Sequence, residues 1–293
     1  VANKRRWQRV NRTKKCPLCG RDSYCTYSDN LVLCMRVKSD RPSACRLGGW
    51  LHSLGPDTQP LHVSLPKPEK PYVDWNAVAK EMFCHEKAPA TREALAKQLR
   101  VSPQALYALR VGWGYDEYRK VEFSSWPERN PFGSVSGIIR RYQDGAKRTI
   151  EHSTHGLYFS RPIRRRPFDP ILLVEGGSDT AALLDCGVNV IGRPSNLGGL
   201  DQIISVAQYM PAWTPWIVIG ERDPKSDADC PKPCDGCGKC FPGLFGARET
   251  AKRLSDAIKR PVKWILPPAK DMREWLQGRA IPAPQLLKEI SRW

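Results

Sequence analysis

The chain reads as an α/β protein. Its second half is a parallel sheet covered on both faces, preceded by a basic α+β region and, at the front, a small cysteine-rich ribbon. Three observations lead there. From Asp169 onward, short fully apolar segments alternate with amphipathic ones, the pattern of strands buried on both faces by intervening helices. Between residues 113 and 160 the pattern is of strands separated by Gly, Pro and Asp turns. Eight of the 11 cysteines fall into two tight groups, the spacing of metal sites rather than of a disulfide framework.

Composition narrows the partners. With 293 residues the chain has room for about two domains. Its 47 Lys and Arg against 30 Asp and Glu give a net charge of +17. Such a surplus predicts a polyanionic partner, because neutralised phosphates release counterions. Nucleic acid fits better than an acidic membrane, since no long basic amphipathic helix is present. Apolar content of 41% with 26% charged residues excludes wholesale disorder. No apolar run nears the roughly 18 residues of a membrane span, and no signal peptide leads the chain. A cytoplasmic, nucleoid-associated protein without a membrane partner is expected.

The elements follow in order. Residues 1–15 form a basic arm with seven Lys or Arg and no acid. In Cys16-Pro-Leu-Cys19-Gly20 a tight turn aims two thiolates into one site. SYCTYS (23–28) and LVLCMR (31–36) then read as a hairpin. Cys16, Cys19, Cys25 and Cys34 make a zinc set, with Cys45 and His52 as substitutes for the last two. A ribbon this small has little core of its own, so its zinc is expected to be structural. Residues 1–54 thus form one domain, and the proline-rich stretch 55–71 a semi-rigid linker.

Residues 72–168 begin with helices. VDWNAVAKEMF puts Trp75, Val78, Ala79 and Phe83 on one face, TREALAKQL follows, and SPQALYAL starts with Ser102 as cap and Pro103 in the first turn. The last two resemble a helix-turn-helix, read here as a packing module rather than a DNA reader. VEFSSWP, GSVSGIIRRY and KRTIEH are strands carrying Arg140, Arg141, Lys147 and Arg148 among Trp126 and Tyr142. Basic side chains on a sheet can track a phosphate backbone.

Residues 169–293 hold the alternating pattern: strands ILLVE (171–175), VNVIG (188–192), WIVIG (216–220) and PVKWIL (261–266), with helices SDTAALLDC, LDQIISVAQY and ARETAKRLSDAI between them, then a helical tail. Ligands of open parallel sheets gather at the carboxyl ends of the strands. Those ends carry Glu175, then Arg193-Pro194-Ser195-Asn196, then Glu221 and Asp223, then Asp271. Like charges so placed need a cation among them, and an oxygen-rich cluster is a site for Mg²⁺ or Mn²⁺. Behind Asp223 an insertion (224–243) carries Cys230, Cys234, Cys237 and Cys240 within eleven residues. Four thiolates this close call for a metal, zinc ahead of an iron–sulfur cluster. Stapling of the loop is its expected role, ahead of direct contact with nucleic acid.

These motifs carry a family resemblance. EGGSDTAAL looks like the first motif of the Toprim domain, and IGERDPK resembles its second, with Glu221 where a D-x-D pair has its first Asp. KDMREWL resembles the Lys-Asp motif that follows. With a zinc ribbon in front and a basic α+β region between, the order is similar to the catalytic half of a bacterial or phage DnaG-type DNA primase, over nearly the whole chain. The resemblance implies synthesis of short RNA primers on single-stranded DNA from nucleoside triphosphates. Glu175, Glu221, Asp223 and Asp271 would hold Mg²⁺ or Mn²⁺, and Lys270 would touch phosphate. Arg140, Arg141, Lys147 and Arg148 would hold template or nucleotide, and the ribbon would read the start site. Two other readings use the same residues: a metal-dependent Toprim nuclease, and a non-catalytic zinc-bearing protein that binds single-stranded DNA. No G-x-x-x-x-G-K-[ST] motor motif is present, so a replicative helicase would be a separate chain. A small primase of this layout suits a phage or mobile element.

Overall fold

The computed structural model describes residues 7–28, 31–43, 48–54, 71–163, 166–224, 237–277, 279 and 281–293. Contacts divide it into two compact units, Val1–Pro71 and Tyr72–Trp293. Most of the expected linker, Cys45, Cys230 and Cys234 lie outside the described residues.

The first unit is an antiparallel sheet in the order β1-β2-β3-β4, formed by Gln8–Arg9, Thr26–Ser28, Leu31–Cys34 and Trp50–Ser53. The expected hairpin is present, with Ser28 opposite Leu31. β4 was not legible, because WLHS follows two glycines and is only four residues long. The core is small: Val10 and Val32 with the buried Cys16, Cys25 and Cys34.

The second unit opens with α1 (Trp75–Cys84), α2 (Ala88–Leu99) and α3 (Pro103–Ala108). The Asp74 carboxylate caps α1 by accepting from Asn76 and Ala77 N–H, and Ser102 caps α3. α3 packs against the rest of the unit: Ala105 and Leu106 are buried, and Ser102 N–H donates to Asp185 (2.7 Å). An antiparallel meander follows: β5 (Gly112–Asp116), β6 (Val121–Arg129), β7 (Val135–Arg141) and β8 (Lys147–Thr149). One face packs on α1 through Ile138, Val135 and Ala79. The opposite face, with Trp126 and Ile139, joins the main core.

That core belongs to a four-stranded parallel sheet in the order β10-β9-β11-β12. Its elements are β9 (Ile171–Glu175), α4 (Gly176–Asp185), β10 (Asn189–Arg193), α5 (Leu200–Tyr209), β11 (Trp216–Ile219), α6 (Pro242–Ile258) and β12 (Lys263–Ile265), followed by α7 (Met272–Leu276) and α8 (Ala283–Ser291). Alternation along β9 explains its continuous apolar run: Leu172 and Val174 pack with α4, α7 and α8, whereas Ile171 and Leu173 pack with α5 and α6. The two sheets are pinned by one short segment. Leu157 exchanges backbone hydrogen bonds with Arg129 of β6 (2.8 Å each), and Tyr158 does so with Gly192 of β10 (2.9 and 2.8 Å). This pinning fixes the basic meander beside the strand ends that carry the acids. Among the described residues, no helix is long and apolar enough to cross a membrane.

Candidate functional site

Each acid is held by a different connection. Glu175 ends β9, and the chain turns at once into α4 through Gly176, whose φ of +76° favours glycine. A Cβ on Gly177 would lie 2.5 Å from the Trp126 ring, so the turn must be made of small residues. Glu221 and Asp223 follow β11. The residue between them, Arg222, points elsewhere and fastens the loop: its N–H donates to Lys270 O (2.7 Å) and its Nε to Pro267 O. Asp223 Oδ1 accepts from Gly243 N–H at the start of α6 (3.0 Å). Asp271 caps α7, accepting from Glu274 N–H (2.7 Å).

The charges of these groups act on one another. The Glu221 carboxyl is pushed up to about 7, by burial first and then by Glu175, Asp271 and Asp223. Burial also raises Glu175, against the pull of Arg193 and Lys147. A fifth acid, Asp179 on the first turn of α4, is 4% exposed. Burial, with Asp271 and Glu221 beside it, holds it well above the usual carboxylate range. Asp179 Oδ2 accepts from Met272 N–H (3.2 Å), joining α4 to α7. Sequence reasoning missed this residue, since an acid in a first helical turn ordinarily serves the helix dipole. Its signal was position: four residues after Glu175, one turn further along the same face.

The basic residues divide by strand alternation. Arg141 and Lys147 are cross-strand partners and line a crevice with Gly177 and Ser178. Partial desolvation and neighbouring Arg141 lower the Lys147 ammonium, while Glu221, Asp179 and Glu175 pull it up. Arg141 is lowered by burial and by Arg273. Arg140 and Arg148, also partners, fall on the opposite face, where Arg140 is bound to Asp116 (2.7 Å). The structure therefore brings Glu175, Glu221, Asp223, Asp271 and Lys147 within electrostatic reach of one another, with Lys270 acting on Glu221 and Arg141 beside Lys147. Arg140 and Arg148 stand apart, and among the described residues only the four ribbon cysteines are gathered at metal-ligand distance. Arg193 is a further member. Its guanidinium, 1% exposed, lies beside Glu175 and Glu221 and donates to Thr250 Oγ1 (2.8 Å) and Asn196 O.

The first unit holds a separate cluster. The Sγ atoms of Cys16, Cys19, Cys25 and Cys34 lie within 4.8 Å of one another. Cys19–Cys25 and Cys25–Cys34 are 3.7 and 3.9 Å apart, against about 3.8 Å between sulfurs of a tetrahedral zinc site with bonds of about 2.3 Å. This four-cysteine set fits zinc. Met35 and Val37 N–H groups donate to Cys25 and Cys34 sulfur, and Arg36 Nη1 lies 3.7 Å from Cys25 Sγ, the charge compensation that four thiolates require. His52 is engaged elsewhere, through Nε2 to Val37 O (3.0 Å). Of the second cysteine group, Cys240 N–H donates to Cys237 Sγ (3.4 Å) just before α6; Cys230 and Cys234 lie outside the described residues.

A parallel sheet with an acid-lined carboxyl edge, faced by cations from an antiparallel meander, defines the class. Among solved structures it is similar to the E. coli primase catalytic core, with a TM-score of 0.50 at 14% identity over 74% of this chain and 78% of that one. It is likewise similar to the zinc-binding and RNA polymerase domains of Aquifex aeolicus primase, at 0.50 and 14% over 78% of this chain and 61% of that one. The chain has the fold of a DnaG-type primase core. No known family profile and no curated protein matches the sequence.

Proposed function

We propose that the chain is a DNA primase that makes short RNA primers on single-stranded DNA from nucleoside triphosphates. One observation carries this reading: Glu175, Asp179, Glu221, Asp223 and Asp271 lie within electrostatic reach of one another at one sheet edge, with Lys147 acting on them, on a fold shared with primase cores. Buried carboxylates that raise one another's pKa are a site short of positive charge, and a donor set made only of oxygen suits Mg²⁺ or Mn²⁺. Glu175, Glu221 and Asp223 would hold such ions, with Asp271 and Asp179 adjoining. Bound there, the metal would lower the pKa of the attacking hydroxyl and neutralise the leaving group. The primer's 3′-oxygen bonds to the α-phosphorus, the bond to the β-phosphate oxygen breaks, and the hydroxyl proton passes to solvent. Arg141 and Lys147 grip the triphosphate, and Lys270 reaches a phosphate from the adjoining loop.

In this reading residues 169–293 are a Toprim domain and 72–168 its basic companion. The zinc ribbon at 1–54 meets the template. Cys230, Cys234, Cys237 and Cys240 hold a second structural metal that braces the Asp223 loop, and a separate helicase supplies unwound template. The test is a primer-synthesis assay with single-stranded templates, labelled nucleotides and Mg²⁺ or Mn²⁺. Asp223→Ala is expected to abolish product while DNA binding persists. Shortened template in place of product would replace this reading with that of a nuclease, and equal loss of binding and synthesis would make the acids structural.

A further inference from the structure

The register of the meander aligns four side chains in one row across the face that looks toward the acids. Trp113 is opposite Ser124, Ser124 opposite Arg141, and Arg141 opposite Lys147. Lys147 is the end of the row nearest the acids, within electrostatic reach of Glu221, Asp179 and Glu175. At the far end the row runs into a groove of about 1030 Å³ between α2 and the sheet, lined by Ala94, Leu95, Trp113, Phe123 and Arg141 among others. Three strand spacings separate Trp113 from Lys147, about 14 Å, the reach of an extended nucleoside triphosphate from terminal phosphate to the far edge of its base.

We infer that this groove is the base-binding half of a nucleoside triphosphate site: the base packs against Trp113 and the apolar face of α2, and the phosphates run along Arg141 and Lys147 to the acids. The inference rests on the primase reading and adds to it where the base goes and which residues select it. The groove has the chemistry for the task. Trp113 is held in place by the His85 ring stacked on it (centroids 4.0 Å apart) and by Lys87 (5.0 Å). Gln98 and Glu122 also line the groove. The Gln98 Nε2 donates to Gln143 O (3.2 Å) and Glu122 Oε1 is paired with Lys87 (2.7 Å), so the Gln98 amide oxygen is the group left to meet a base edge. Arg141 borders both the groove and the crevice beside Gly177 and Ser178, so one guanidinium links the two halves. Its Nε is buried without a hydrogen-bond partner among the described residues.

Ala94 is exposed on α2 and faces the groove, so Ala94→Trp plugs the space without disturbing the core. Calorimetry in Mg²⁺ with each of the four ribonucleoside triphosphates, and with inorganic tripolyphosphate, separates the base from the phosphates. Ala94→Trp and Trp113→Ala are expected to weaken nucleotide binding about tenfold, as loss of an aromatic platform does. Trp113→Phe stays within about threefold on the same ground, and tripolyphosphate binds all four proteins alike. In primer synthesis the two damaging variants raise the nucleotide KM and leave kcat in place. Nucleotide binding that ignores Ala94→Trp overturns the inference and leaves the primase reading standing. Loss of binding to an unphosphorylated oligodeoxynucleotide, with nucleotide binding intact, assigns the groove to template and also overturns it. If neither nucleotide nor tripolyphosphate binds the unaltered protein, the primase reading itself fails.

Discussion

Arg193 shows how the site tolerates its own charge. It closes β10 with 1% exposure, and its guanidinium is lowered to about 10 by burial although Glu175 and Glu221 lie beside it. It also satisfies the Asn196 carbonyl and the Thr250 hydroxyl. Removing one partner from a buried charge network leaves the others uncompensated, at a cost of about 3 kcal/mol or more. Arg193→Met keeps the volume and loses the charge, and is expected to lower the melting temperature by about 6 °C or more. A saturating divalent cation should return part of that loss by replacing the missing positive charge. A thermal scan with and without Mn²⁺ checks both statements; an unchanged melting temperature would mean that the acids do not depend on Arg193.

At the scale of elements, the zinc ribbon stands on four sulfurs and two buried valines, too little apolar surface to order such a unit without metal. Chelation, or Cys34→Ser, is expected to open residues 7–54 to protease while α1 and α2 stay protected, and metal analysis should show the zinc lost in step. The ribbon was legible because thiolate spacing is a local signal, as were the parallel strands, whose apolar runs admit few other interpretations. What escaped is what depends on close approach. β5 reads GWGYD, and its glycines look like turn residues. They are glycines because a Cβ at Gly112 would lie 2.4 Å from Met82 O, and one at Gly114 would meet the Phe123 ring at 2.4 Å. α6 likewise begins at Pro242, five residues before its periodic stretch, because Gly243 must pass Glu221 O and Asp223 Oδ1. Strand alternation sends Arg140 and Arg141 to opposite faces, but which of the two looks toward the acids depended on the packing of the meander against the parallel sheet.

Across the whole molecule, a net charge of +17 coexists with a buried nest of acids, whose effect on stability is shifted in opposite directions by rising pH and by a bound cation. Glu175, Asp179 and Glu221 all hold their protons more tightly when folded than the ordinary values of 4.5 and 3.8. Between those values and about 7, where Glu221 titrates, the unfolded chain has released protons that the folded chain retains. Raising the pH through this window therefore favours unfolding. The metal-free protein is expected to melt at progressively lower temperature from pH 5 to pH 8. Binding of Mg²⁺ or Mn²⁺ requires deprotonated carboxylates, so the cation should stabilise more strongly at pH 8 than at pH 6. Parallel thermal scans at the two pH values, with and without Mn²⁺, test the pair of slopes together. A cation effect that is the same at both would separate the acids from metal binding, and their repulsion would then need another positive partner.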